Sequence, residues 1–320
     1  MKIRNSLFCW MFSASLVAFV TVNAAAQTTP KPTAPLPSQR LLPTQAELTE
    51  MMDEDEDEEK PAETHKALEN EPAVENQTSA EKKPTVEEAL RDAFLPPPHA
   101  RPLRKDSFLW VDRDKKRVYI DGYLAMDRGP LEMFACPRGT KEHESIVATI
   151  ARSSEVHAAL LAVGTMPGTP VRFDPEFLPP TGQRVRVWVS WRDEKGKYHV
   201  SDARRWVKES ESGKQMQPDW VFAGSGFWTD PSDNKQYYRA DGGDMICVSN
   251  FSSAMLDIGA ASSASADSLL YTPFTGRIPP RHTLVRLTLV PIPIPTDKPK
   301  HEDAIDPDKP PGDEILPVKK

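Results

Sequence analysis

The chain has 320 residues, 32 of them proline, with 40 basic and 47 acidic side chains and a formal charge of −7. That balance excludes the basic stripe with which proteins grip nucleic acid. An apolar fraction of 38%, with proline crowded toward both ends, points to one core-forming domain between unfolded flanks.

The N-terminus sets the compartment. Lys2 and Arg4 precede an apolar stretch from Ser6 to Val22, and Ala24-Ala25-Ala26 offers small residues for cleavage before Gln27. The stretch falls short of the roughly 20 apolar residues of a spanning helix. Residues 1–26 therefore read as a signal peptide, placing the mature chain in the periplasm, on the cell surface or outside the cell. No integral membrane domain is expected after cleavage. Cys9 lies inside the apolar stretch, so Cys136 and Cys247 are the cysteines left in the mature chain. They allow a disulfide, two free thiols or one thiol used for chemistry. They are too few for an iron–sulfur cluster, which takes about four cysteine ligands.

Residues 27–105 read as a disordered Pro-rich and acidic tether, with its negative charge concentrated in Asp53-Glu54-Asp55-Glu56-Asp57-Glu58-Glu59. Two amphipathic pieces interrupt it, Gln45 to Met52 and Thr85 to Phe94. In the second, Val86, Leu90, Ala93 and Phe94 share one helical face.

The folded domain is expected over 106–292. Alternating apolar positions predict strands over 117–124, 131–136, 146–150 and 185–191, with further strands at 198–200, 206–207, 220–222, 245–248 and 284–290. A hairpin around Pro137-Arg138-Gly139 would bring His143 back toward Cys136. One helix stands out: Ser153 as N-cap, Glu155 in the first turn, Val156, Ala159, Leu160 and Val163 at helical spacing, and Gly164 as the stop. Many strands and one principal helix predict an α+β fold, mainly antiparallel sheet, flanked by disordered tails, the second tail being 293–320.

Cys136-Pro137-Arg138-Gly139-Thr140-Lys141-Glu142-His143-Glu144-Ser145, then His157-Ala158-Ala159-Leu160-Leu161 and Gly164, resemble the YdjY-like domain. The resemblance continues through Trp188-Val189-Ser190-Trp191, Trp220 to Ser225 and Asp244 to Asn250, and covers most of Lys116 to Val290. It implies an exported bacterial protein of a family common in planctomycetes and otherwise uncharacterised. Some members carry a ferredoxin-like label, which the cysteine count of this chain contradicts.

Three chemistries compete for the 131–145 stretch. Cys136, His143 and Glu144, with His157 from the helix, would suit Zn²⁺ or another transition-metal ion, one neighbour orienting a ligand rather than binding. Alternatively Cys136 attacks as a nucleophile with His143 or His157 as base, in a thiol-dependent hydrolase or redox enzyme. In the third reading the residues are structural. Trp188, Trp191, Trp206, Trp220 and Trp228 fit core packing better than sugar stacking, with Trp188 the one expected to be exposed beside Arg186 and Ser190. Gly224-Ser225-Gly226 and Asp241-Gly242-Gly243-Asp244 read as turns, since phosphate-loop and calcium-loop spacings are absent. The function expected is an exported binding or interaction module, its partner a protein, an envelope component or a small molecule.

Overall fold

The computed structural model describes residues 84–261, 269–295 and 306–319. The expected signal peptide, the acidic run and the Gln45–Met52 piece lie outside the described residues. Helix α1 (Val86–Ala93) is followed by β1 (Arg101–Pro102), β2 (Leu109–Asp112), β3 (Arg117–Leu124), β4 (Met133–Pro137) and β5 (Ser145–Thr149). Helix α2 (Ser153–Ala162) then leads to the long β6 (Arg184–Arg192), β7 (Tyr198–Asp202), β8 (Val207–Glu209) and β9 (Trp220–Phe222). The hairpin of β10 (Phe227–Thr229) and β11 (Gln236–Tyr238) precedes β12 (Ile246–Cys247), β13 (Leu256–Ile258), β14 (Tyr271–Pro273) and β15 (Leu284–Pro291).

The architecture is a mostly β closed barrel, not the expected α+β fold on an open sheet. Strands run β3-β15-β6-β9-β13-β12-β4-β5, and β5 pairs back onto β3 to close the ring. Closure depends on β3 serving two neighbours along one edge. Its first half pairs with β2, and Gly122 to Leu124 pair with Val147 to Thr149 of β5. Gly122 stands at the crossover, where a Cβ would lie 2.2 Å from the Ala148 carbonyl oxygen, so no larger residue fits without a shift. Period-two alternation reports which face of a strand is buried, not whether the sheet's ends meet. That is why the closed topology escaped the sequence reading.

Inside the ring the odd positions of β6 (Val185, Val187, Val189) meet those of β15 (Val285, Leu287, Leu289) and Val118, Ile120 and Leu124 of β3. Phe134, Trp206, Trp220 and Phe222 join them, as do Val156, Ala159 and Leu160 from α2. Each such side chain contributes roughly 1.5–3 kcal/mol by leaving water. The expected cap of α2 shifts by one residue. Ser153 Oγ donates instead to the Ala240 carbonyl at 2.7 Å. The Asp241 carboxylate caps the helix from a distant turn, accepting from Ser154 N and Oγ, both at 2.8 Å. Gly164, with φ +82°, ends the helix as the sequence predicts.

Outside the ring lies a second layer. Leu90 and Phe94 of α1, Phe108, Trp110, Tyr119, Ile315 and Leu316 form a separate apolar cluster. The segments 84–105 and 306–319, expected in unfolded flanks, are thus packed against the barrel, and the folded part reaches past 106–292 at both ends. Arg286, fully buried on β15, holds this layer together. Its Nε and Nη2 donate to Asp121 at 2.6 and 2.8 Å, and Nη1 donates to the carbonyls of Leu95 and Ile315 at 3.1 and 2.6 Å. The guanidinium also lies 4.7 Å from the Trp110 ring centroid.

Arg286→Met is expected to lower the unfolding free energy by about 3–5 kcal/mol, because it leaves Asp121 buried without a counter-charge. The double replacement Asp121→Leu with Arg286→Met should recover much of that loss. Urea unfolding of the wild type, the two single variants Arg286→Met and Asp121→Leu, and the double variant measures the coupling, and strictly additive losses would show that the two groups do not act as a pair.

Candidate functional site

The four residues expected to hold a metal stand in three different settings. Cys136 is fully buried on β4. His143 lies in the short 3-10 turn Glu142–Glu144 with its side chain 77% exposed, and Glu144 turns to Lys141, 3.6 Å away. His157, on α2, bonds through Nδ1 to Tyr238 Oη at 2.8 Å and packs edge-on against Phe222. Among the described residues no group of three or more His, Cys, Asp or Glu side chains is placed to hold a metal ion.

Strand direction explains the separation. The hairpin expected around Pro137-Arg138-Gly139 does not form, because β4 and β5 run parallel, with Met133 opposite Ser145 and Cys136 opposite Ala148. The connection therefore doubles back, and Glu132 N donates to the Glu144 carbonyl at 3.1 Å. The buried Cys136 thiol lies against Thr140, Lys141 and Ser145, while the His143 ring stands out in solvent at the start of β4. The same ladder logic keeps the cysteines apart. Cys247 on β12 faces Met133, three residues or about 10 Å from Cys136, beyond disulfide reach. Both thiols are free and buried, and burial pushes both above the usual thiol range, Cys247 well above it.

What the turn does gather is a charge cluster around Lys141, a residue the sequence reading passed over. Its ammonium meets Asp244 at 3.0 Å and Glu144 at 3.6 Å, and sits 4.8 Å from the Phe251 ring centroid. Its stem lies over Gly243, where φ is +137° and an added Cβ would sit 2.5 Å from Lys141 Cγ. Burial pulls the ammonium down, but Asp244 and Glu144 outweigh it and its pKa stands above the usual value. Burial, and then the adjacent Glu144 carboxylate, push the Glu132 carboxyl up. Asp244 also accepts from Ser253 Oγ, so the cluster ties the 138–144 turn to the 248–255 loop.

Under that loop lies Asp257, fully buried on β13. Its Oδ1 accepts from Asn250 Nδ2 at 3.0 Å and from Ile258 N at 2.8 Å, the Phe251 backbone N–H lies nearby, and Oδ2 makes no hydrogen bond within standard geometry among the described residues. Burial pushes its carboxyl up to about 7.

Exposed aromatic groups lie elsewhere, as the pair Phe173 and Phe177 and on the β10–β11 hairpin. Trp228 and Tyr237 face each other across it with ring centroids 5.6 Å apart and are 46% and 41% exposed, and Phe227 is 65% exposed. The opposite face anchors the hairpin. Tyr238 is buried, donates to the Gly224 carbonyl at 3.1 Å and meets His157. Burial keeps the His157 imidazole below its usual pKa. Trp188, expected at the surface, is instead covered, its Nε1 donating to the Pro307 carbonyl at 3.1 Å. The available signal was the pair of aromatic dipeptides Phe227-Trp228 and Tyr237-Tyr238 around the turn-forming Asp230-Pro231-Ser232-Asp233-Asn234.

The family model of the YdjY domain matches residues 109–290. No curated protein and no solved structure matches the chain. Among the described residues no helix is long and apolar enough to cross a membrane.

Two outcomes follow from the buried groups. In the native protein neither Cys136 nor Cys247 should take up iodoacetamide at neutral pH, and both should do so in urea; mass spectrometry of the adducts decides, and a rapidly labelled native Cys136 would restore the thiol-enzyme reading. Asp257 contributes a pH dependence of defined sign. An unfolded aspartate loses its proton near pH 4 and the folded one near pH 7, so its contribution is fully present below about pH 4 and is lost as pH rises toward about 7. The loss is on the order of 4 kcal/mol, and Asp257→Asn should flatten that part of the stability profile measured by urea unfolding. An unchanged profile would place the titration elsewhere.

Proposed function

The chain belongs to the YdjY-domain family, and we propose that its barrel is the scaffold of an exported binding module whose contact surface is the β10–β11 hairpin. The observation that carries the reading is the outward pair Trp228 and Tyr237, exposed on one face of a hairpin whose other face is fastened to α2 and Gly224. Two aromatic faces on a braced support bind at low entropic cost, because the rings are already held. Around them stand Asp230, Asp233, Asn234 and Gln236, side chains able to hydrogen-bond hydroxyl groups. Aromatic faces with a polar border suit a sugar ring, so the ligand class proposed is an envelope polysaccharide.

The alternative, a thiol-dependent hydrolase or redox enzyme, draws less support, since a buried thiol with a raised pKa is a poor nucleophile. A metal shared by Cys136, His143, Glu144 and His157 draws less still, because these side chains face different surroundings.

Co-sedimentation of the full chain with purified peptidoglycan sacculi tests the reading. Trp228→Ala and Tyr237→Ala should each weaken retention by about tenfold, the loss of about 1.4 kcal/mol of stacking. Retention equal to wild type in the double variant, or none in wild type, would remove the hairpin as a polysaccharide site.

A further inference from the structure

A second surface of the barrel is already occupied, by the chain's own C-terminal segment. Residues 306–319 cross the outer face of β6, β7 and β15 and pair with no barrel strand. They are held by side chains reaching their carbonyls. Trp188 Nε1 donates to Pro307 at 3.1 Å, Tyr198 Oη to Pro311 at 2.8 Å, Arg286 Nη1 to Ile315 at 2.6 Å, and Arg192 Nη2 to Leu316 at 3.0 Å. Leu95 N adds a bond to the Pro317 carbonyl at 2.8 Å. Charge fixes the ends, with Arg186 Nη1 on Asp308 at 2.6 Å and Lys319 Nζ on Asp92 at 2.8 Å. Pro311, Ile315 and Leu316 are the buried anchors, and most of the remaining residues stay exposed.

The chemistry of this face is selective. Tryptophan and arginine side chains are N–H donors only. Proline supplies a carbonyl and no N–H. A row of donors therefore matches a segment with Pro307, Pro310, Pro311 and Pro317 and would leave the N–H groups of an ordinary extended strand unmet. The contacts run mostly to the main chain, with specificity left to one aspartate and the three buried anchors, as in grooves that bind proline-rich peptides. The family match ends at residue 290, with the barrel complete and this segment outside it. Arg286 would keep Asp121 and the Leu95 carbonyl if the segment left, so its charge would stay compensated.

The geometry points to a peptide-binding groove on the outer face of β6, β7 and β15, filled in cis by residues 306–319. The same groove takes in trans a proline-rich peptide with an aspartate near its start and an apolar pair near its end. Residues 292–305 tether the resident segment, so a ligand in trans competes against a high local concentration.

A fluorescein-labelled peptide of residues 306–319, followed by anisotropy, tests this on the full chain carrying Ile315→Asp and Leu316→Asp. Saturable binding is expected, at least about tenfold tighter than to the wild-type chain, whose own segment competes. Trp188→Phe and Arg186→Ala added to that background should each weaken binding about tenfold, and salt should weaken it further. Absence of binding at about 100 μM (a free energy near −5.5 kcal/mol) by a variant with native near-ultraviolet circular dichroism would overturn the proposal. So would binding indifferent to Trp188. If the double variant does not fold, a protease site placed within 296–305 of the otherwise wild-type chain replaces it. After cleavage the C-terminal fragment should leave on dilution, with the barrel's spectrum retained, and the labelled peptide should rebind. A barrel that unfolds when the fragment leaves would make the segment part of the fold and sink the groove.

Discussion

The buried pair of Arg286 and Asp121 is the constraint around which the outer half of the molecule is arranged. A charge with no exposed surface is tolerable only when its hydrogen-bonding capacity is met, and water is excluded on every side. Asp121 takes two of the guanidinium's donors, and burial pushes that carboxyl up against the pull of Arg286. The remaining contacts come from the Leu95 and Ile315 carbonyls, each from a segment whose composition alone would not fold. The arginine thus converts two loosely specified flanks into one layer, and Phe94, Trp110 and Leu316 follow into the space around it. Buried ion pairs seldom add much net stability, but they penalise every arrangement that leaves them unmet. Here Asp121 and the Leu95 carbonyl compensate the charge, and the Ile315 carbonyl adds to them where the C-terminal segment is docked.

Beneath that layer the barrel separates its two sides cleanly. Along β6, Val185, Val187 and Val189 point inward while Arg186, Trp188 and Ser190 point out, and β15 alternates in phase with it. Closing the ring pairs each of its eight strands with two neighbours in the ring, and β1 and β7 remain as strands paired on one side. It also leaves the outer positions free to vary without disturbing the core. The Lys141 cluster shows the same division at the ring's far side: its charges join a turn to a loop, and the barrel interior carries none of them.

Legibility followed element length. The helix α1 face, the alternation of β3, β6 and β15, and the stop of α2 at Gly164 could all be read, because each spans enough residues for a period or a cap to register. β12 and β13, with two and three residues, carry no period, yet they complete the ring. Strand direction was invisible for a related reason: the parallel pairing of β4 and β5 is a long-range property, and reading it as a hairpin drew Cys136 and His143 together in error. Trp188 was placed on the correct, partly polar face, and what covers that face lies 119 residues further along the chain. The C-terminal segment was read as unfolded because it has little apolar surface of its own. Its order comes from donors on the barrel, and no property of the segment taken alone reports them.

The same reasoning separates the functional signals from the misleading ones. Residues rare in composition, such as Cys136 and Cys247, drew attention but proved to be small apolar fillers of a tightly packed wall. The residues that face solvent with unused binding capacity are common types in unusual positions, two aromatic side chains on a hairpin whose back is fastened by Tyr238. An exposed tryptophan opposite an exposed tyrosine contributes little to the core. The pleat fixes which hairpin positions face outward, since a slip of one residue would carry Tyr238 out, but the core does not require aromatic side chains at those positions. That independence is the physical ground on which the hairpin is proposed for recognition, while the buried thiols sit in the packed wall.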